Sequence, residues 1–258
     1  MDFFTLSSRI EEKRPVDFSD VFSRSFDLFK KVWLQGFIML LCQFLFMIPV
    51  ILISYVPLIG MAAAQNSGGF NPNDNPFASL GALAWFYLTF FAGIMLVSFL
   101  LYAMQAGFYK MLRTADETGE ANTSDLFAFF KGMYFTKTFL LGISVMGISL
   151  LGFVLCFLPG IYVAIPLSLV SVVFAFNPNL SVSENIKVCF KIGNNYWFTI
   201  FGLVLLSGLL AEFAGLIACG IGVLFTMSFA KIPHYFVYKD AVGFDDDAPQ
   251  SNPVITKF

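Results

Sequence analysis

Three residues near the end of the chain, Glu212, Lys231 and His234, have the types and spacing to do chemistry in an apolar setting. They lie in LLAEFAGLIACGIGVLFTMSFAKIPHYFVY, a run in which Glu212 and Lys231 are the only Asp, Glu, Lys or Arg. Removing an isolated carboxylate or ammonium from water is costly, so such groups pair, reach water or serve a function. If the run folds back at Cys219, Gly220, Ile221 and Gly222, Glu212 lies eight residues before Gly220 and Lys231 eleven after it. At the rise of a helix these offsets correspond to ~12 Å and ~16 Å. The two side chains can then meet and line a polar path for a proton, an ion or a lipid headgroup. The alternative keeps them apart: Lys231 snorkels to one interface, and Glu212 reaches the other or stays protonated. His234, three residues beyond Lys231, shares its helical face and, as the only histidine, reads as a structural residue near an interface.

The same inventory excludes much chemistry. One imidazole cannot build a multi-histidine iron site or an H-E-x-x-H zinc site, and no nucleophile-elbow motif supports a Ser-His dyad. Cys42, Cys156, Cys189 and Cys219 lack metal-ligand spacing and read as small packing residues. A Cys156–Cys219 disulfide is conceivable, because both approach the same end of their spans. No glycine-rich loop is followed by Lys and Ser or Thr, so the chain carries no nucleotide site of its own. The expectation is a non-enzyme without metal or cofactor. The scattered cations form no basic stripe with interleaved aromatics, which argues against nucleic acid as a partner.

The elements that must position these residues are membrane spans. The composition is 58% hydrophobic, 18% aromatic and 12% charged, with 34 Phe and a mean hydropathy of +0.78, far from the soluble average. All 15 Lys and Arg fall outside the interiors of three stretches, Lys31 to Lys110, Lys137 to Lys187 and Lys191 to Lys231. Each is long enough for two spans of about 20 residues, and cationic loops favour the cytoplasmic side. The pattern predicts six spans in three hairpins, at about 34–57, 82–108, 138–158, 160–177, 196–218 and 220–238, with both termini cytoplasmic. A long Gly-, Asn- and Pro-rich loop closes the first hairpin. Pro159 with Gly160, and Gly220 with Gly222, close the second and third. The first 17 residues read as a polar segment with no secretory signal, and 241–258, with Asp245, Asp246 and Asp247, as a disordered acidic tail.

The three hairpins read as variants of one unit, 18–110, 123–177 and 181–240. At an offset of 164 residues Asp20 meets Glu184, Phe22 meets Ile186, Phe26 meets Phe190 and Trp33 meets Trp197. Phe18, Val21, Phe22, Phe26 and Phe29 share one helical face, as do Val182, Ile186, Cys189, Phe190 and Gly193, so the first and third units open with an amphipathic helix at the inner surface. Ser181 and Glu184 have the spacing of a capping box. NTSDLFAFFKGMYFTKTF fits the pattern more loosely, and convergent membrane grammar would produce similar features. Trp33 and Trp197 are expected as anchors at one interface and Trp85 at the other. Pro49 and Pro166 fall within spans and kink them. Ala103 with Gly107, and Ala211 with Gly215 and Cys219, form small-residue faces. Gln35, Gln43 and Gln105 are the remaining polar groups at depth, suited to interhelical hydrogen bonds.

LPGIYVAIPLSLVSVVFAFNPNLSVSENIKVCFKIGNNYWFTIFGLVLL, through Pro159, Gly160, Tyr162, Ser183, Glu184, Trp197 and Phe201, resembles a broad group of bacterial membrane proteins that includes the membrane domain fused to some glycerophosphodiester phosphodiesterases. AGFYKMLRTADETGEANTSDLFAFFKG and HYFVYKDAVG are similar to segments of related families. The resemblance covers about half of the chain, roughly 106–240, and implies a six-helix membrane module. The group often carries a basic residue in the fourth span, where this chain has Ile165 and Pro166. No phosphodiesterase domain is present, so that activity is not implied. The sequence therefore predicts an all-α polytopic protein of the bacterial cytoplasmic membrane. Two functions fit: a non-catalytic module that organises lipid or a membrane complex, as a homo-oligomer or with a membrane-protein partner, or a small transporter or lipid-translocating protein using Glu212 and Lys231.

Overall fold

A computed structural model describes residues 1–68, 76–155, 157–217 and 222–244, and every regular element among them is helical. The longest helices arise where apolar residues run on without a break. α2 (Phe18–Asn66) starts at Asp17, whose side chain accepts from the Asp20 amide at 2.8 Å. It continues for 49 residues, through Pro49 and Pro57. At the helical rise it is ~74 Å long, against a hydrocarbon core of ~30 Å. α3 (Pro76–Thr118) runs antiparallel to it. Trp85 Nε1 donates to Ile53 O at 3.3 Å, and Gly93 is packed so closely on Val50 that a Cβ there would lie 2.3 Å from it.

A 3₁₀ turn (Thr123–Phe127) leads to α4 (Gly132–Leu155), which packs on α5 (Phe157–Ser168) where Gly152 and Gly160 approach each other. Pro159 and Gly160, expected as a turn, lie inside α5. Leu169 separates α5 from α6 (Val170–Phe176), and its amide bonds back to Pro166 O at 3.1 Å, so the expected fourth span is two helices meeting at a tightened turn. α7 (Val182–Asn195) and α8 (Trp197–Ile217) follow. After Gly222 come α9 (Val223–Thr226), a second 3₁₀ turn (Met227–Lys231) and α10 (Ile232–Ala241). Five helical segments, covering 18–66, 79–118, 136–154, 158–176 (α5 and α6 together) and 197–217, are long and apolar enough to cross a membrane.

The architecture departs from the sequence expectation elsewhere too. The segment predicted as a sixth span is not one helix. Pro233 stands in the first turn of α10 and has no N–H to offer the carbonyl four residues back, so the helix restarts there. The residues ahead of the first span form no separate helix either: α2 runs through Trp33 without interruption, whereas its counterpart breaks at Tyr196 between α7 and α8. Where α2 has Phe29, Lys30 and Lys31, the third unit has Gly193, Asn194 and Asn195, all poorer helix formers. Finally, the N-terminal segment contains α1 (Phe3–Glu11), with Leu6 and Ile10 fully buried. Asn195 Nδ2 donates to Ile10 O at 3.3 Å, and the Tyr196 hydroxyl donates to Arg14 O at 2.7 Å.

The capping box is present: Ser181 Oγ accepts from the Glu184 amide at 3.3 Å, and Glu184 Oε2 accepts from the Ser181 amide at 2.8 Å. The Ser181 hydroxyl and amide hold the Glu184 carboxyl below its ordinary value. The buried stripe of α7 is Asn185, Val188, Cys189, Ile192 and Gly193; it shares Cys189 and Gly193 with the expected face, adds Asn185, Val188 and Ile192, and packs on protein, with Val182 and Phe190 partly buried against the core. Burial pushes the Cys189 thiol pKa up. At the centre of the molecule α10 buries every residue from Ile232 to Tyr238. Cys156, Cys219, Gly220 and the acidic tail lie outside the described residues, as does the Cys156–Cys219 pairing.

Candidate functional site

The break in the last segment places Lys231 at the end of a 3₁₀ turn, beside α8 and between two cavities. The first, about 350 Å³, is lined by Gln43 of α2, Gln105 of α3, Glu212 of α8 and Lys231, with Met39, Gly208 and Met227 among its apolar walls. The second, about 270 Å³, is lined by Ser98, Tyr102 and Gln105 of α3, by Ser168 and Ser171, and again by Lys231. Gln105 and Lys231 line both cavities.

Glu212 and Lys231 share the first chamber, yet no ion pair within 4.0 Å or hydrogen bond joins them among the described residues. Glu212 is exposed, and its neighbours on α8 include Phe213 and Leu216, which are also exposed, so the chamber opens sideways on the apolar flank of the molecule. Lys231 is partly buried, and Gln43 Nε2 is buried without a partner. A carboxylate, an ammonium and two carboxamides, none consumed by an internal ion pair, can receive a guest that carries both charges.

The second chamber is more completely bonded. Ser171 Oγ donates to Gln105 Oε1 at 3.2 Å. Ser168 Oγ donates to Ile165 O at 2.7 Å and lies 3.0 Å from His234 Nε2. His234 Nδ1 is buried. His234 itself is 4% exposed, so its ring fills the wall behind the chamber.

An aromatic collar flanks the break. Phe22, Phe26 and Phe29 of α2 surround Phe229 at 5.9, 6.2 and 5.4 Å between ring centroids. With Leu210, Ala211 and Ala214 they bound an apolar cavity of about 340 Å³ that meets the Glu212 chamber at Ala211. α2 approaches through Gly36, where a Cβ would stand 2.2 Å from Ser228 Oγ.

The tryptophans have different surroundings. Trp33 packs on Phe225 at 6.1 Å, Trp197 stacks on Phe201 at 5.1 Å and donates to Tyr162 O, and Trp85 bonds within the first hairpin. Ser98, Tyr102, Ser168, Ser171 and Pro233 were not singled out from the sequence. The spacing of Ser98, Tyr102 and Gln105 at i, i+4 and i+7, a polar stripe in an apolar run, is the signal that finds the second chamber. No group of three or more His, Cys, Asp or Glu arranged to hold a metal ion occurs among the described residues. Compared with protein-family models, curated proteins and solved structures, the chain matches none.

Proposed function

We propose that this protein is a non-catalytic, multi-pass protein of the bacterial cytoplasmic membrane that moves a polar headgroup or small zwitterion through the Glu212–Lys231 chamber, with lipid as its first substrate class. The observation that carries this reading is that an uncompensated carboxylate and ammonium line one laterally open cavity at a break in a helix. Irregular backbone at membrane depth is tolerated where it lines a cavity, and discontinuous helices mark the binding sites of many transporters. The neighbouring apolar cavity gives an acyl chain somewhere to lie while its headgroup occupies the polar chamber.

In this reading the segment after Gly222 is a sixth, broken crossing, and both termini are cytoplasmic. The distribution of Lys and Arg supports the orientation. So does the way the ends meet: Arg9 donates to Phe244 O at 3.0 Å, and Arg24 pairs with Asp240. α7 then lies near the inner surface, its outward face toward lipid headgroups.

The test is lipid translocation in proteoliposomes, read by quenching of a fluorescent phosphatidylethanolamine analogue with an impermeant reductant. The intact protein should speed the exchange between leaflets, and Glu212→Gln and Lys231→Gln should each slow it about tenfold, the loss expected from one charged contact. A second reading, a module that docks a membrane partner, is favoured by the exposed apolar flank of the long hairpin, where Leu52, Val56 and Ile59 face outward with Phe77, Leu80 and Leu88. It predicts that both variants behave like the intact protein and that charged substitutions on that flank abolish complex formation.

A further inference from the structure

We propose that a third cavity, separate from the two chambers, binds a phosphate-bearing anion at the cytoplasmic end of the molecule. It has a volume of about 580 Å³, within the range of small-molecule sites, and lies between α3, the segment 128–131 that follows the 3₁₀ turn, and the ends of α4 and α6. Lys110, Arg113 and Lys131 line it against one carboxylate, Glu117. Arg113 Nε bonds Glu117 at 2.7 Å, and Lys110 lies 3.6 Å from Asp125, so much of two cations is already compensated. Lys131 pairs with no carboxylate among the described residues and supplies the uncompensated charge.

The other groups suit the same guest. The hydroxyls of Thr114 and Tyr134 belong to the lining, and that of Tyr134 has no hydrogen-bond partner among the described residues. Phe129, 5.2 Å from the Tyr134 ring, and Phe176 give the cavity an aromatic floor. Lys137 is held to Pro178 O at 2.7 Å and stiffens the rim. Cations, hydroxyl donors and an apolar floor fit a phosphate attached to a glycerol or similar carbon skeleton. The phosphate supplies acceptors for Lys131 and Tyr134, and the skeleton rests on the rings. Such a group reaches the site either as an anionic lipid headgroup of the inner leaflet or as a free phosphomonoester.

The experiment uses the full chain in nanodiscs of zwitterionic lipid. One arm titrates sn-glycerol 3-phosphate by calorimetry, with glycerol as the uncharged control; the other raises the fraction of phosphatidylglycerol and counts retained lipid by native mass spectrometry. Saturable binding is expected in at least one arm, weakened about tenfold by Lys131→Gln and measurably by Tyr134→Phe. Binding of glycerol 3-phosphate marks a soluble phosphate as the source, and retention of phosphatidylglycerol alone marks the headgroup. Absence of saturable binding in both arms overturns the proposal, as does equal affinity in the intact protein and both variants. Lys131 is exposed and unpaired, so its replacement leaves the fold in place.

Discussion

At the scale of single residues, Lys231 is partly buried and has no ion-pair partner among the described residues, which points to a role other than stability. An ammonium among Met39, Met227 and Ala230, with Glu212 in the same chamber but out of bonding range, gains little from the folded state. Lys231→Met should therefore leave thermal stability unchanged or raise it by about 1 kcal/mol, while lipid translocation falls. A purely structural lysine would show the opposite, with lost stability and unaltered translocation. Glu184 behaves differently, because its carboxylate is stabilised by Ser181. Its folded pKa is depressed, so its contribution to stability is complete above the ordinary glutamate value of 4.5 and is lost as pH falls through the lower folded value. The gap in melting temperature between the intact protein and Glu184→Gln should be constant at neutral pH and close below about pH 4.5. A gap that persists undiminished at lower pH would contradict the capping role.

At the scale of elements, close packing and helix punctuation decide the path of the chain. Gly193 touches Pro166 so closely that a Cβ would lie 2.7 Å from Cγ and 2.8 Å from Cα of the proline. Gly193→Ala should destabilise the protein by about 1–3 kcal/mol in detergent melts. Gly147 meets nothing within 4 Å, so Gly147→Ala should be neutral or stabilising. The long apolar stretches were legible in the sequence because hydropathy over 20 residues is a strong signal, and the Ser181–Glu184 box because its chemistry is local. The break before α10 was also written there, in Pro233, but it was masked by the apolar run around it. That Asn185 and Val188 join Cys189 and Gly193 in the buried stripe of α7 was not legible, because α7 presents apolar side chains on both flanks and tertiary contacts with α1 and α5 choose between them. Glu212 and Lys231 could be nominated as isolated charges, whereas Ser168, Ser171 and Tyr102 carry no charge and join the site only through the fold.

At the scale of the whole molecule, ion pairs and hydrogen bonds tie α1, α2 and α10 together beside α3. Arg9 reaches the carbonyls of Val242 and Phe244, Arg24 holds Asp240, and Lys239 donates to Asp116 at 2.6 Å, which also accepts from the Tyr235 hydroxyl at 2.9 Å. These contacts anchor α10, and α10 in turn positions Lys231 and His234. The proposed function requires that the chambers around Lys231 admit polar guests while the outer flanks of the same helices face lipid. It is tested by replacing the native cysteines with alanine, introducing Ser98→Cys, Gln105→Cys or Gly208→Cys, and measuring the rate of labelling by a membrane-impermeant maleimide in native membranes. Leu205→Cys and Val154→Cys, at positions 50% and 74% exposed on apolar flanks, serve as references. The chamber positions should label at least about tenfold faster than the flank positions, because a thiolate forms readily only where water reaches it. Chamber positions that label no faster than Leu205→Cys and Val154→Cys would show a dry, sealed interior and contradict it.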